Sequence, residues 1–125
     1  MSLKRRLKAG VALTLLIALL TPTIAQAWHE STITLPRNGW WYTIARQASG
    51  SQQQTRVTNP TYDVVANIAR GAVNTNLASN QTHLSGFTTT RTHNSGSMSG
   101  DNIRGAFRSS MVNQFTNQVD LAWRP

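Results

Sequence analysis

The feature that most constrains the fold is a strict alternation of residue types near the C-terminal end of the chain. Every second position from 111 to 123 forms one series, which is mostly apolar: Met111, Asn113, Phe115, Asn117, Val119, Leu121 and Trp123. Four of the six residues between them are polar: Gln114, Thr116, Gln118 and Asp120. Successive side chains of a β-strand point to opposite faces, so this pattern predicts a strand with one buried face.

Residues 33–45 predict a second β-rich region. Ile33 and Leu35 alternate with threonines, and an apolar run from Trp40 to Ala45 follows. Between them lies Pro36-Arg37-Asn38-Gly39, and an Asn-Gly pair between two apolar segments indicates a β-hairpin. Pro36 cannot donate a ladder hydrogen bond, so it indicates a sheet edge or a bend. The segment Leu35–Gly39 also resembles the cell-wall sorting pentapeptide, but Asn38 replaces its Thr and the segment lies at the wrong end, so a turn is favoured.

The middle of the chain is less regular. Residues 51–58 predict a polar strand at a sheet edge, with only Val57 to bury. Residues 61–72 have apolar residues at helical spacing, with Asp63 as a candidate cap, but the adjacent valines 64 and 65 and the stop at Gly71 favour a strand; both alternatives stay open. Residues 83–92 predict a β segment broken at Gly86, residues 94–102 a loop, and residues 103–110 another strand.

These segments predict an all-β fold: a small antiparallel β-sandwich or a partly open barrel of five to seven strands, preceded by a cleavable signal helix. Residues 28–125 form one domain, because no repeat or linker divides them. The chain has no cysteine. Its stability therefore depends on the packing of its core, and the lack of disulfides favours a bacterial exported protein.

The N-terminal segment has the layout of a secretory signal peptide. A basic head (Lys4, Arg5, Arg6 and Lys8) precedes an apolar run from Ala9 to Leu20, and the small-residue pattern Ala25-Gln26-Ala27 follows. The apolar run is shorter than the roughly 20 residues that span a bilayer. We therefore expect cleavage after Ala27, a first mature residue Trp28, and a secreted or extracellular protein that meets the membrane only through its signal peptide.

The charge of the domain is modest once this leader is set aside. Four of the twelve basic residues lie in the leader, so residues 28–125 carry eight arginines against four acids, a net charge of +4. The arginines are scattered, whereas nucleic-acid-binding proteins usually present a clustered basic stripe. We therefore expect no nucleic-acid partner, and a mild attraction to anionic envelope polymers or lipid headgroups.

Catalytic and metal-binding patterns are not recognisable. His29, His83 and His93 lack the spacing of zinc ligands, although the last two could meet across a hairpin; surface positions are favoured for them. The loop 96–100 (Gly-Ser-Met-Ser-Gly) only superficially resembles a nucleophile elbow. Asp63, Asp101 and Asp120 are expected to serve turns or to pair with arginines. We expect no enzyme activity, no metal and no cofactor.

The four tryptophans are the residues most open to a functional interpretation, because an exposed indole can stack on a sugar or lie at a membrane interface. Adjacent residues of a strand point to opposite faces, so Trp40 and Trp41 cannot share one face. We expect Trp40 and Trp123 in the core. Trp41 is the best candidate for an exposed ligand contact, followed by Trp28.

The overall layout suggests an outline resemblance. A signal peptide, the strand Ile33-Thr34-Leu35-Pro36, the turn exit Gly39-Trp40 and a cysteine-free, Thr/Asn-rich domain resemble small exported proteins of Gram-positive bacteria. The chain is also similar in outline to the lactococcin-972-type bacteriocins. This resemblance transfers no functional residue. The sequence thus predicts a secreted, non-enzymatic protein that binds an envelope polymer, glycan or lipid headgroup at the cell surface; the alternative is a bacteriocin-like antimicrobial protein.

Overall fold

The computed structural model describes residues 27–110 and 116–125, and these contain nine β-strands and no helix. The strands are β1 (His29–Leu35), β2 (Trp41–Tyr42), β3 (Arg46–Gln47), β4 (Gln52–Thr58), β5 (Val64–Arg70), β6 (Gln81–His83), β7 (Thr89–Asn94), β8 (Asn102–Ser109) and β9 (Asn117–Arg124). Within the described ranges no helical segment has the length and apolar character needed to cross a bilayer. Residues 1–26 of the expected signal peptide, including Ala25, lie outside the described residues.

The strands form two antiparallel sheets. Sheet A has the strand order β1-β9-β4-β7, and sheet B has the order β2-β8-β5-β6, with β3 also paired to β8. The two sheets face each other and do not close into a barrel. The predicted all-β class is thus confirmed. The predicted number of strands was too low because β2, β3 and β6 are only two or three residues long.

The core lies between the inward faces of the two sheets. β9 contributes the buried Val119, Leu121 and Trp123, and these pack against apolar residues of sheet B such as Phe107 and Ile68. Gly105 makes the close approach of the sheets feasible: a Cβ there would lie 3.0 Å from Phe107 Cε2 and 3.2 Å from the Trp123 ring. Only a residue without a side chain leaves room for both aromatic rings at this point.

Several predicted segments are confirmed. Residues 64–70 are a strand and not a helix, β8 occupies most of 103–110, and the β segment at 83–92 is broken by a loop in which Gly86 has φ +78°. The alternation in β9 is also as predicted, with Val119, Leu121 and Trp123 turned inward. Met111, Asn113 and Phe115, which belong to the same alternating series, lie outside the described residues.

Two predictions about strand placement were wrong. The turn at 36–40 does not close a hairpin, because β1 belongs to sheet A and β2 to sheet B; this connection crosses from one sheet to the other. β4 is not an edge strand either. It lies between β9 and β7 and buries Gln53 and Thr55 as well as Val57. Thr55 bonds both His83 and His93, and Gln53 Nε2 donates to Gly50 O, while Gln53 Oε1 is buried without a partner among the described residues.

Candidate functional site

The candidate site lies on the outward face of sheet A, where β1, β9 and β4 are neighbours. The register places Glu30 and Arg56 on either side of Ala122, and Thr32 and Thr58 on either side of Asp120. Residues opposite one another in an antiparallel pair point to the same face, so these side chains form two rows across three strands. Both rows face solvent, because the inward positions of β9 hold the core residues.

Between the two rows runs a groove of about 370 Å³. It is lined by Glu30, Ser31, Thr32, Arg56, Thr58, Asp120, Leu121 and Ala122. The groove exists because its floor is made of small residues: Ala122 on the central strand is buried beneath longer side chains from both neighbours. A large side chain at 122 would fill the space between Glu30 and Arg56.

Arg56 is the most firmly held charged residue of this groove. Its Nη2 donates a hydrogen bond to Glu30 Oε1 at 3.1 Å, which spans the short Ala122. Its Cζ lies 4.6 Å from the centre of the Trp28 ring, a cation–π contact. Two contacts from two directions fix the orientation of the guanidinium. An exposed ion pair contributes little to stability, so we assign these contacts a positioning role.

Trp28 holds a second arginine as well. The β1–β9 register, extended by one residue, places Trp28 opposite Arg124, whose Cζ lies 5.9 Å from the Trp28 ring centre. Trp28 is half-buried as a result. This indole therefore serves mainly to hold two guanidinium groups at one end of the groove, and less as an open stacking surface.

Asp120 lies at the other end of the groove. Its Oδ1 accepts a hydrogen bond from Thr32 Oγ1 at 2.7 Å. Its Oδ2 has no hydrogen-bond partner within residues 27–110 and 116–125, and is therefore free to accept a bond from a ligand. The groove and its rim thus combine two arginines with two carboxylates (Arg56, Arg124, Glu30 and Asp120).

The predicted tryptophan roles are reversed at two positions. Trp41 is turned inward, packs against the core and lies 6.3 Å from the Phe107 ring, whereas Trp40 lies on the opposite face, 5.3 Å from the Arg108 guanidinium. The reason is the pairing of Trp41 with the inward-facing Phe107, which leaves its neighbour Trp40 outside. Trp123 is in the core as predicted. Ala27 is exposed.

His83 and His93 belong to a second polar site, inside the sandwich, that the sequence did not predict. His83 of β6 and His93 of β7 are fully buried, and the Nε2 atoms of both lie within hydrogen-bond distance of Thr55 Oγ1, at 2.9 and 2.7 Å. His83 Nδ1 lies 2.7 Å from Thr89 Oγ1, and Arg91 Nε donates to Thr82 O at 3.0 Å. These contacts join the edge strands of the two sheets, and we call them the histidine seam.

The hydrogen bonds of the histidine seam indicate one arrangement of protons. His93 Nδ1 is buried without a partner among the described residues, so the proton of a neutral His93 belongs on Nε2 and is donated to Thr55 Oγ1. The Thr55 hydroxyl then donates to His83 Nε2, and His83 donates from Nδ1 to Thr89 Oγ1. Both rings are neutral in this arrangement.

The surroundings keep both rings neutral. Burial, together with the nearby His93 and Arg91, lowers the pKa of His83 to about 4, against a smaller opposing effect of a backbone hydrogen bond at Thr89. Burial alone lowers the pKa of His93 to about 4. The expectation that these histidines lie at the surface was therefore wrong. Their role in the structure is to bridge the two sheets.

Asp101 serves a turn as predicted, whereas Asp63 joins two distant segments and Asp120 bonds Thr32 instead of a turn or an arginine. Asp63 accepts a hydrogen bond from the Ser85 backbone N–H, and Asp101 accepts one from Met98 N–H. In the part of the chain that the structure describes, no three His, Cys, Asp or Glu residues lie together as a metal site would require.

The residues of the groove other than Trp28 were missed by sequence reasoning. Glu30, Arg56, Asp120 and Arg124 each occupy the outward position of an alternating strand, which was the available signal. Their convergence depends on the pairing of β9 with both β1 and β4. No local pattern reveals that pairing.

Comparisons with protein-family models, with curated proteins and with solved structures gave no match to this chain. The function is therefore argued from the chain's own residues.

Proposed function

We propose that this protein is exported and acts as a non-enzymatic binding protein, which attaches to glycan-containing polymers of the cell surface or envelope through the groove of sheet A. The observation that carries the proposal is the Arg56 guanidinium, held at the groove between the Glu30 carboxylate and the Trp28 indole. An arginine that is already ordered loses less conformational entropy when a ligand binds.

The composition of the groove supports binding over bond cleavage. Glu30 is engaged by Arg56, and Asp120 by Thr32, so each carboxylate is held as a hydrogen-bond acceptor. The remaining lining is made of hydroxyl groups and small side chains. Polar groups in a fixed array on a rigid sheet are suited to recognising an extended polar ligand.

The N-terminal sequence supports an extracytoplasmic ligand. The basic head, the apolar run and Ala25-Gln26-Ala27 predict export and cleavage before Trp28. A protein that leaves the cell by this route meets envelope polymers first. Trp28, the expected first mature residue, is also the residue that braces Arg56 and Arg124.

Co-sedimentation with purified bacterial envelope polymers tests this function. The full-length chain is expressed in an exporting bacterial host, and the secreted product is compared with two variants, Arg56→Ala and Arg70→Ala. Arg70 is exposed on sheet B, remote from the groove. Both variants lose one positive charge, so non-specific attraction to a polyanion falls equally in both.

We expect the wild-type protein and Arg70→Ala to sediment with the polymer and Arg56→Ala to remain largely in the supernatant. Equal losses in the two variants would show that binding is a general charge effect and that the groove is not the site. If no envelope preparation retains the wild-type protein and it inhibits the growth of related bacteria instead, the antimicrobial alternative replaces the binding function.

A further inference from the structure

We infer that the groove recognises a neutral, polyhydroxylated glycan through neighbouring hydroxyl groups of its sugar rings, and not an anionic polymer. This inference rests on the proposed envelope-binding function and specifies the chemistry of the ligand. Three features of the groove carry it: the balance of its charges, the geometry of its hydrogen-bonding groups and the size of its opening.

The groove presents no excess of positive charge. Its lining sets Arg56 against Glu30 and Asp120, and even with Arg124 at the rim the charges only balance, although the domain as a whole is cationic. A chain of phosphates or uronates lying in the groove would meet both carboxylates, and juxtaposed like charges weaken an interface. A neutral sugar meets no such penalty. The excess arginines elsewhere, such as Arg37 and Arg70, lie outside the groove lining.

The free hydrogen-bonding groups match vicinal diols. Arg56 commits Nη2 to Glu30, which leaves Nε and Nη1 as donors, and Asp120 Oδ2 remains as an acceptor. Each sugar hydroxyl both donates and accepts, so one ring can donate to Asp120 and accept from Arg56. The planar guanidinium presents its donors in a fixed fork, which suits two neighbouring oxygens and which a lysine ammonium cannot imitate.

The lining supplies further hydroxyl groups. Thr32 and Thr58 flank Asp120 on the outward face, and the groove of about 370 Å³ falls within the range of small-molecule sites, roughly 300–1,000 Å³. The groove is open at the surface of a sheet, so a polymer can pass through it without a chain end. Because the Trp28 ring is covered by Arg56, we assign the recognition to hydrogen bonds and not to stacking.

NMR titration of the secreted product tests the ligand class. Backbone amide signals are followed on addition of three probes: a neutral hexose oligosaccharide, an N-acetylhexosamine oligosaccharide and a polyglycerol phosphate, each at low and at high salt. We expect either neutral sugar to shift the signals of residues 30–32, 56–58 and 120–122, with an affinity that salt leaves unchanged.

Matched variants assign the contacts. Arg56→Lys keeps the charge and loses the fork, and we expect its affinity for the neutral sugar to fall at least tenfold, whereas Arg70→Lys behaves as wild type. Thr58→Trp fills the groove, leaves the Arg56–Glu30 pair in place and should abolish the shifts. Its unchanged spectrum outside the groove would show that it is folded.

Two results would overturn the inference, and they are distinguishable. Salt-sensitive binding of polyglycerol phosphate alone, at the same residues, would show that the groove takes an anionic polymer, and the envelope-binding function would stand. If no probe shifts the groove signals while the protein still sediments with envelope polymers, the site itself is elsewhere. An Arg56→Lys variant with wild-type affinity would exclude the proposed fork.

Discussion

Mild acid should destabilise this protein well above the pH at which carboxylates titrate, and the reason is the histidine seam. Burial lowers the pKa of His83 and of His93 to about 4, whereas the same groups in the unfolded chain titrate near 6.5. Between these values the unfolded state binds more protons than the native state. The free energy of unfolding therefore falls as the pH falls from 6.5 to 4, and this contribution is fully present only above pH 6.5.

The magnitude follows from the size of the shifts. One pKa unit corresponds to about 1.4 kcal/mol, so each histidine removes on the order of 2 kcal/mol between pH 7 and pH 5. Two histidines remove about 4 kcal/mol, a large part of the 5–15 kcal/mol that stabilises a typical domain. The structure gives the physical cause: a proton added to His93 must go to the unpartnered Nδ1, and a charge on the buried His83 would face Arg91 and His93.

Urea unfolding at pH 7 and pH 5 measures this loss, since model carboxyl groups titrate mainly below pH 5. The variant His93→Gln should be less stable at pH 7 but should lose only about half as much on acidification. His29→Gln is the comparison: burial and Arg46 lower the pKa of the half-buried His29 as well, so its removal should reduce the pH dependence, but by less than removal of the fully buried His93. An unfolding free energy that changes by less than about 0.5 kcal/mol between the two pH values would refute the reasoning.

Two further predictions concern the C-terminal strand and the leader. Leu121→Ala should lower the free energy of unfolding by about 2–5 kcal/mol and Trp123→Ala by about 3–5 kcal/mol, because both side chains are packed in the core. The control Gln118→Ala, at an exposed position, should change it by less than about 0.5 kcal/mol. Equal effects of the three variants in thermal or urea unfolding would contradict the assigned inward face. Mass spectrometry of the secreted product should show Trp28 as the first residue, and recovery of the full-length chain in the membrane fraction would replace the signal peptide by a retained anchor.

The strands that could be predicted from the sequence are those whose own residue pattern shows which face is buried. In β9 and β8, buried and exposed positions alternate or apolar residues follow one another over seven or eight residues. The β segment interrupted around Gly86 contains the glycine that adopts φ +78°. Such patterns depend only on the chain's own period of two. The strand at 64–70 was harder because nearly every residue of β5 is buried, which removes the alternation and leaves helical spacing as an equal interpretation.

The pairing of strands could not be predicted in the same way. Pro36–Gly39 has the residues of a turn, and residues of the same kind also serve a crossing between sheets. β4 was assigned to an edge because glutamine and threonine rarely fill a core position. Thr55 is buried because it bonds His83 and His93, and Gln53 because it donates to Gly50 O. His83 and His93 come from distant parts of the chain, whereas Gly50 lies only three residues from Gln53.

β4 links the two polar sites of the molecule. Its outward residue Arg56 belongs to the groove, and its inward neighbour Thr55 holds the histidine seam. A proton added to His83 Nε2 removes the acceptor of the bond that Thr55 donates between the sheets, and a proton added to His93 Nδ1 is buried without an acceptor among the described residues. His93 lies on β7, the strand that covers one edge of β4. Acid should therefore weaken the packing of β4, the strand that carries Arg56, before it affects Glu30 or Trp28. In a titration from pH 7 to pH 5, amide signals of β7 should broaden first and groove signals of β4 next, while those of β1 and β9, which the apolar core holds, should change last.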